Sequence, residues 1–261
     1  MLDSAEIGII GGTGVYDPEL LEDKREIKAN TPYGSPSDLI ILGNYGDRRI
    51  AMIPRHGKNH TIPPHKVNWR ANIYALKQLG VTRVLATCAS GSLKEEYKPG
   101  DIVIVDQFID FGKNVHGFYD EGNFYHIAMA EPFCHELRNG LIKSARDAGI
   151  SLHDKGTYLR IEGPQFSTKA ASKMYSSFAD IIGMTGIPEA ILSRESEMCF
   201  AITATITDYD VCIGKPTPFE EMKLVMARNI DNTKKIIANI IREIPKERNC
   251  ICKDALKGAE A

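Results

Sequence analysis

The 261-residue sequence has no apolar run approaching the roughly 20 residues that a membrane-spanning helix needs. It also has no charge excess, since 32 lysines and arginines stand against 34 aspartates and glutamates, for a formal net charge of -2. A near-neutral chain has no general attraction for nucleic acid or anionic lipid. The N-terminus lacks a charged-then-apolar leader. We therefore expect a cytoplasmic protein that acts on a small molecule, with no membrane and no nucleic-acid partner.

Cysteine is too sparse for a secreted disulfide framework, because only six cysteines are spread over the chain. Most of these thiols are expected to be buried and free. Cys250 and Cys252 form a C-x-C motif near the polar C-terminus, which fits a metal clip, a redox pair or a chance occurrence. A bridge between Cys134 and Cys199 also stays open, since intracellular disulfides occur in hyperthermophiles.

Strand and helix patterns alternate along the chain without repeats or low-complexity segments, which predicts one three-layer α/β/α domain over residues 1–245. Strands are predicted at residues 7–10, 38–42, 49–53, 81–86, 102–105, 157–161, 180–184 and 200–206. Helices are predicted near residues 66–79, 132–148, 168–178, 188–198 and 217–243. The turn-rich residues 43–47 indicate a hairpin, so the central sheet is expected to be mixed. The polar tail 246–261, which carries the C-x-C motif, is expected to be loosely held.

The glycine-rich run Gly11–Gly14 follows the first strand and offers backbone N–H groups and a threonine hydroxyl to an anion. It is not a dinucleotide fingerprint, because Asp17 stands where the third glycine should be. The Walker pattern also fails, since no Gly-Lys-Ser/Thr follows at the required distance. A tight turn between a strand and a helix remains the alternative.

A second anion-binding motif is predicted in the run Arg55–His60, where cationic and donor side chains lie beside flexible backbone. The three histidines His56, His60 and His65 could instead hold a metal. No carboxylate or cysteine accompanies them, however, and Arg55 and Lys58 would repel a cation. A solvated basic turn is the other alternative.

The run Thr87–Ser92 follows another predicted strand and offers hydroxyl and N–H groups at the strand end, where α/β proteins bind ligands. It predicts a third contact to phosphate. Nucleophilic catalysis by Cys88 or Ser90 is the competing interpretation, but the G-x-S-x-G elbow and an identifiable base are both missing.

Two carboxylates, Asp208 and Asp210, come directly after the apolar strand at 200–206. At a spacing of two residues they should point the same way from the strand end. Crowded like charges and burial raise the pKa of at least one carboxyl, so a protonated acid near neutral pH is expected. A metal site or a plain loop remains the alternative.

Eight short motifs occur together in a specific order and spacing over about residues 6–243. They are Gly11–Gly14, Arg55–Gly57, Asn68–Ala71, Gly91–Leu93, Pro99–Asp101, Glu162–Pro164, Met184–Thr185 and Thr207–Asp210. In this combination the sequence resembles the purine nucleoside phosphorylase family, most closely the members that cleave methylthioadenosine. The resemblance implies a transferase of purine and methionine salvage that releases adenine and 5-methylthioribose 1-phosphate, with phosphate as co-substrate and no cofactor. It also implies a homotrimer or a dimer of trimers.

The resemblance further implies a role for each matching residue. Phosphate would be bound by Thr13, Arg55, His56, Cys88, Ala89 and Thr185. Phe166 would stack on the purine, Met184 would lie against the ribose, and Asp208 and Asp210 would be catalytic residues facing the base edge. His126 would approach the 5′ end of the sugar from a neighbouring subunit, and Ser167 and Phe219 would tune specificity. No metal is implied at this site.

The sequence departs from the family pattern at Cys88, where a hydroxyl residue is frequent, and at Gln165, where arginine is common. The C-x-C motif resembles that of thermophilic archaeal members, which implies a heat-tolerant source. Three other interpretations remain open. The first is a phosphorylase for adenosine, inosine, guanosine or methylthioinosine. The second is a hydrolase that uses water, and the third is a non-catalytic nucleotide-binding module.

Overall fold

The computed structural model describes residues 3–12, 17–113, 117–119, 122–214 and 219–261. Within them, one sheet of eleven strands runs through the protein. The strands are β1 Ile7–Gly11, β2 Glu22–Ile27, β3 Ile40–Tyr45, β4 Arg48–Pro54, β5 Arg83–Ser92, β6 Ile102–Ile104, β7 Gln107–Asp110, β8 Leu152–His153, β9 Thr157–Arg160, β10 Ile181–Gly183 and β11 Cys199–Tyr209. The helices are α1 Trp69–Gln78, α2 His135–Asp147, α3 Lys169–Tyr175, α4 Ile187–Glu195 and α5 Phe219–Glu243.

The sheet is mixed, as the hairpin signal predicts. Its main path is β2-β3-β4-β1-β5-β10-β9-β7, and β11 pairs with both β5 and β6. Strands β4, β1, β5 and β11 are mutually parallel, whereas β3 pairs antiparallel with β4. The carboxyl ends of four central strands therefore meet at one edge of the sheet.

Alternate residues of the central strands pack against different helices, which gives three layers. Phe200 and Ile202 of β11 belong to a cluster with residues of α1 and α4. Cys199 and Ala201 belong to a second cluster with residues of α2 and α5. Successive side chains of a strand point to opposite faces of the sheet, so a strand that is buried on both faces packs against two different sets of helices. The α/β/α prediction is confirmed.

Two central strands are longer than the sequence predicts. β5 continues to Ser92, so the run Thr87–Ser92 is strand and not the expected loop. The reason is its parallel pairing with β11, which extends from Cys199 opposite Arg83 to Ile206 opposite Ser90. β11 itself continues to Tyr209 across a bulge between Ile206 and Asp208.

The C-terminal tail packs against the domain, contrary to the expectation that it is loosely held. Cys250 and Cys252 are buried. An Nη2 N–H of Arg83 donates to the Glu247 carbonyl oxygen at 2.9 Å, which fixes the chain as it leaves α5. Near its end, Glu260 forms an antiparallel bridge with Tyr125. Among the described residues, none of the helices combines the length and apolarity that a membrane crossing requires.

Candidate functional site

A cavity of about 820 Å³ opens where the carboxyl ends of the parallel central strands meet. This volume lies within the range of about 300–1,000 Å³ that is usual for small-ligand pockets. The lining residues that are used below come from the ends of four strands, from two adjoining loops and from helix α5. They are Gly12, Arg55, His56, Ala89, Phe166, Ser167, Met184, Thr185, Asp208, Asp210 and Met226. The four motifs Gly11–Gly14, Arg55–His60, Thr87–Ser92 and Asp208 with Asp210 thus converge on one cavity.

Arg55 follows β4 and is held by a fully buried ion pair. Its Nε and Nη2 donate to the two carboxylate oxygens of Glu189 at 2.6 and 2.8 Å, and Nη1 donates to the Thr87 carbonyl oxygen at 2.7 Å. Burial alone would lower the pKa of Arg55, but the Glu189 carboxylate outweighs it and the pKa is raised. A guanidinium has five N–H donors, so two remain for an anion in the cavity.

Gly12 lies against Arg55 and permits this arrangement. A Cβ atom here would lie 2.6 Å from the Thr87 carbonyl oxygen and 2.8 Å from Arg55 Nη1. The backbone N–H of Gly12 donates to Thr87 Oγ1 at 3.0 Å. The glycine therefore permits the close approach of β1 to the guanidinium. Thr13, the threonine of this motif, lies outside the described residues.

His56 is a neutral imidazole at pH 7. Burial, together with the charge of Arg55, lowers the pKa of His56 to about 4. Its Nδ1 lies 2.8 Å from the Ile62 carbonyl oxygen, so Nδ1 carries the proton and Nε2 is left as an acceptor. His60 also lines the cavity, whereas His65 does not. In the described part of the chain, these histidines do not form a group spaced for a metal ion.

Thr185 and Gly186 bring the N-terminus of α4 to the cavity. Thr185 lines the wall, and its hydroxyl donates to Cys88 Sγ at 3.5 Å. Gly186 caps the helix with φ 81°, and a Cβ there would lie 2.9 Å from Cys88 Sγ. Free backbone N–H groups at a helix start favour an anion.

Cys88 lies behind Thr185 and does not line the cavity, whereas its neighbour Ala89 does. Burial raises the pKa of the Cys88 thiol, which disfavours the nucleophilic thiolate. The structure therefore gives no support to nucleophilic catalysis by Cys88. Its side chain supports Thr185 instead.

Asp208 and Asp210 both line the cavity, as their spacing predicts, but their surroundings differ. Asp210 is buried and accepts hydrogen bonds from the hydroxyls of Ser167, at 2.8 Å, and of Ser172. Burial raises the pKa of Asp208, the hydrogen bond from Thr207 at 2.6 Å opposes this rise, and the nearby Asp210 charge adds to it. Asp208 is therefore the carboxyl that is biased towards the protonated form.

The remaining wall is apolar and reaches solvent at Phe166, whose side chain is 80% exposed. Met184 and Met226 are half-buried and line the interior. A flat apolar ligand can therefore enter between Phe166 and the end of the sheet.

Besides Thr13 and Cys88, two further residues named from the resemblance, His126 and Phe219, lie away from the cavity or outside the described part. His126 is exposed and does not line the cavity of the single chain. Its backbone N–H donates to the Ala259 carbonyl oxygen at 2.8 Å. The side chain of Phe219 lies outside the described residues.

Sequence reasoning missed Glu189 and Ser172, which hold Arg55 and Asp210 respectively. Glu189 is an isolated carboxylate in an otherwise apolar segment, and a charge in such a place is rarely buried without a partner. That signal could have identified it. Ser172 gives no comparable signal, because serine is common on helix surfaces.

The comparisons with known proteins agree with this geometry. The family model described as the phosphorylase superfamily matches residues 6–242. An S-methyl-5'-thioadenosine phosphorylase of Thermofilum pendens is 53% identical over 260 residues, with 99% of each chain covered. A probable 6-oxopurine nucleoside phosphorylase of Dictyoglomus turgidum is 51% identical over 255 residues, with 96% of each chain covered. The crystal structure of a methylthioadenosine phosphorylase from an antarctic soil metagenomic library superposes with a TM-score of 0.94 at 42% identity, covering 99% of this chain and 93% of that one.

Proposed function

Because the chain belongs to the phosphorylase superfamily, we propose that it cleaves S-methyl-5'-thioadenosine with inorganic phosphate, releasing adenine and 5-methylthioribose 1-phosphate. The observation that supports the proposal is that the two ends of the cavity differ in chemistry. One end has the buried Arg55 and the start of α4, which suit an anion, and the other has a carboxyl biased towards protonation. Phosphorolysis requires both features, a binding site for phosphate and a proton donor for the departing base.

At the first end, phosphate would be bound by the free N–H groups of Arg55, by backbone near Ala89 and by the Thr185 hydroxyl, which would turn its O–H from Cys88 Sγ to the phosphate. Neutral His56 would accept a hydrogen bond from the remaining O–H of hydrogenphosphate through Nε2. The phosphate charge would offset the positive charge that develops on the sugar as the glycosidic bond stretches, and one phosphate oxygen would then attack the anomeric carbon.

At the other end, the departing purine becomes negative and needs a proton or a hydrogen bond. A protonated Asp208 would donate to purine N7, and its second oxygen would accept from the 6-amino group of adenine. A 6-oxo purine would present an acceptor to that same oxygen. This difference favours adenine over hypoxanthine or guanine.

Phosphorolysis of 6-oxopurine nucleosides is the second candidate, because one relative at 51% identity carries that name. Broad cleavage of adenosine, inosine, guanosine or methylthioinosine belongs to the same alternative. The apolar wall formed by Met184 and Met226 supports a methylthio group over a 5′-hydroxyl. We also propose a cytoplasmic enzyme without a cofactor, with phosphate as co-substrate, that works as a homotrimer or a dimer of trimers with no nucleic-acid or membrane partner.

The decisive experiment measures release of free base from methylthioadenosine, adenosine and inosine, each with and without phosphate. The proposal expects adenine and methylthioribose 1-phosphate from methylthioadenosine only when phosphate is present. Base release in phosphate-free buffer would identify a hydrolase. Faster cleavage of inosine would favour the second candidate, and binding without turnover would point to a non-catalytic module.

A further inference from the structure

Strand β11 has a bulge directly before the two aspartates of the cavity. Up to Ile206 it pairs with β5 in regular parallel register, with Ile206 opposite Ser90. The next paired residue is Asp208, which lies opposite Gly91, so Thr207 is an extra residue in β11. A bulge of this kind bends the strand and re-aims the side chains that follow it.

The bulge decides which face of the sheet presents the aspartates. Paired residues of neighbouring strands point to the same face, and a shift of one residue moves the later side chains to the opposite face. Ile206 packs in the cluster that contains α1 and α4, and without the extra residue Asp208 would point there too. Instead it shares the face of Gly91, where an added Cβ atom would lie 3.8 Å from Asp208 Oδ2 and 3.8 Å from Asp210 Cβ. The bulge therefore turns both carboxylates towards the cavity.

A buried asparagine of α5 holds the backbone at this bulge. Asn229 is 2% exposed, and its Nδ2 donates to the Ile206 carbonyl oxygen at 3.0 Å. The same oxygen accepts from the backbone N–H of Gly100 at 2.8 Å. The N–H of Ile206 in turn donates to the Asp101 carbonyl oxygen at 2.9 Å. The motif Pro99–Asp101 and helix α5 thus hold Ile206 together.

The contacts of Asn229 suit a role in alignment better than a role in stability. Its Oδ1 is buried and has no hydrogen-bond partner among the described residues. An unsatisfied buried oxygen opposes folding and so offsets the contribution of the Nδ2 hydrogen bond. Met226, one turn earlier on α5, lines the cavity. Asn229 therefore connects a helix that lines the cavity to the strand that contains the aspartates.

We propose that Asn229 is a positioning residue: by holding the Ile206 carbonyl at the bulge, it aims the Asp208 carboxyl at purine N7. The kinetic part of this inference rests on the proposed phosphorolysis, whereas the structural part does not. Asn229 does not line the cavity, so it acts through the strand and not through contact with substrate. Its effect should fall on departure of the base and not on phosphate binding at Arg55.

The test replaces Asn229 with leucine, which keeps the approximate size of the side chain and removes the donor. Asn239→Leu is the matched control, because Asn239 lies on the same helix and its Nδ2 donates to the Ser144 carbonyl oxygen at 3.4 Å. Crystal structures of the parent and of both variants show the bulge directly. In Asn229→Leu we expect the Ile206 carbonyl and the Asp208 carboxyl to leave their parent positions. In the control both should stay.

Kinetics test the consequence for the reaction. Asn229→Leu should lower kcat on methylthioadenosine at least about tenfold, since a misplacement of about 1 Å can cost about a hundredfold in rate. The phosphate KM and the urea midpoint should stay close to those of the parent. In the Asp208→Asn background the same substitution should cause no further loss, because both changes act on one proton donation.

An unchanged bulge in the Asn229→Leu crystal structure would overturn the proposal, whatever the activity of the chain. Independent, additive losses in the double variant would overturn it as well, and so would failure of Asn229→Leu to fold, because a stability near that of the parent is expected. If the parent did not cleave methylthioadenosine with phosphate, the proposed function would fail. The crystal structures would then still decide whether Asn229 holds the bulge.

Discussion

Replacing Glu189 with glutamine tests the buried ion pair at the phosphate end of the cavity. In the parent, both carboxylate oxygens accept from Arg55, at 2.6 and 2.8 Å, and the two side chains are 1% and 0% exposed. Glutamine has nearly the same shape but no charge. One of its two terminal atoms becomes an N–H donor that faces a guanidinium donor, so one hydrogen bond is lost and a buried positive charge stays uncompensated.

Removing one partner of a buried ion pair costs about 3–5 kcal/mol, because the remaining charge stays in a medium of low polarity. That is a large part of the roughly 5–15 kcal/mol by which a typical protein is stabilised. We therefore expect Glu189→Gln to lower the urea midpoint strongly. The phosphate KM should rise as well, since the guanidinium is no longer held in place.

The assay is urea unfolding followed by circular dichroism at a fixed protein concentration, together with the phosphate KM. Glu243→Gln is the control. Glu243 forms an ion pair with Lys143 at 3.0 Å, but these side chains are 41% and 59% exposed. Exposed pairs contribute little, so the control should unfold like the parent. If Glu189→Gln matched the control in midpoint and phosphate KM, the assignment of Arg55 as a charge fixed by Glu189 would be wrong.

Four further predictions follow from the same cavity. Asp208→Asn should lower turnover of methylthioadenosine at least about tenfold, because an amide has no dissociable proton for N7, with a smaller loss on inosine; equal losses would contradict its role in reading adenine. Arg55→Ala should raise the phosphate KM at least about tenfold, since a charge-assisted hydrogen bond contributes about 1.5–3 kcal/mol; an unchanged KM and turnover would contradict phosphate binding. Burial lowers the pKa of His56 to about 4 in the folded chain, so the unfolded chain takes up this proton at a higher pH than the folded chain does. The free energy of unfolding should therefore fall as the pH drops from about 6.5 towards 4. His56→Asn should flatten that decline in urea unfolding, and an unchanged slope would refute the buried neutral imidazole. Dilution to monomers should abolish activity if His126 of the neighbouring subunit completes the 5′ pocket; an active monomer in analytical ultracentrifugation would refute a shared site.

The central part of the fold could be predicted because its patterns are strong. The apolar runs at β1, β4 and β11 are buried on both faces, and each is followed by glycine or charged residues at the cavity. Strand β2 gave no such signal, since Glu22–Ile27 is mostly charged and exposed. This edge strand pairs with β3 through its backbone, and of its side chains Ile27 packs against the core, so the segment carries no alternating hydrophobic pattern.

The prediction that the tail is loosely held was wrong because it relied on overall composition, whereas only a few small residues pack the tail against the domain. Residues 246–261 are mostly polar, but their two cysteines are buried against β11 and α2. Free cysteine behaves as a small apolar residue, so a C-x-C motif can anchor a polar segment. These two thiols pack with Cys134 and Cys199, which lie far away in the sequence.

The candidate site illustrates why residue spacing predicts position better than role. Asp208 and Asp210 have the same chemistry and the same strand end, and the spacing correctly brings both to the cavity. Their difference comes from Ser167 and Ser172, which belong to another segment and donate to Asp210 only. Burial raises the pKa of Asp208 and the neighbouring Asp210 adds to that rise, whereas the hydrogen bond from Thr207 opposes it. The two aspartates therefore differ through two serines, Ser167 and Ser172, that lie far from them in the sequence.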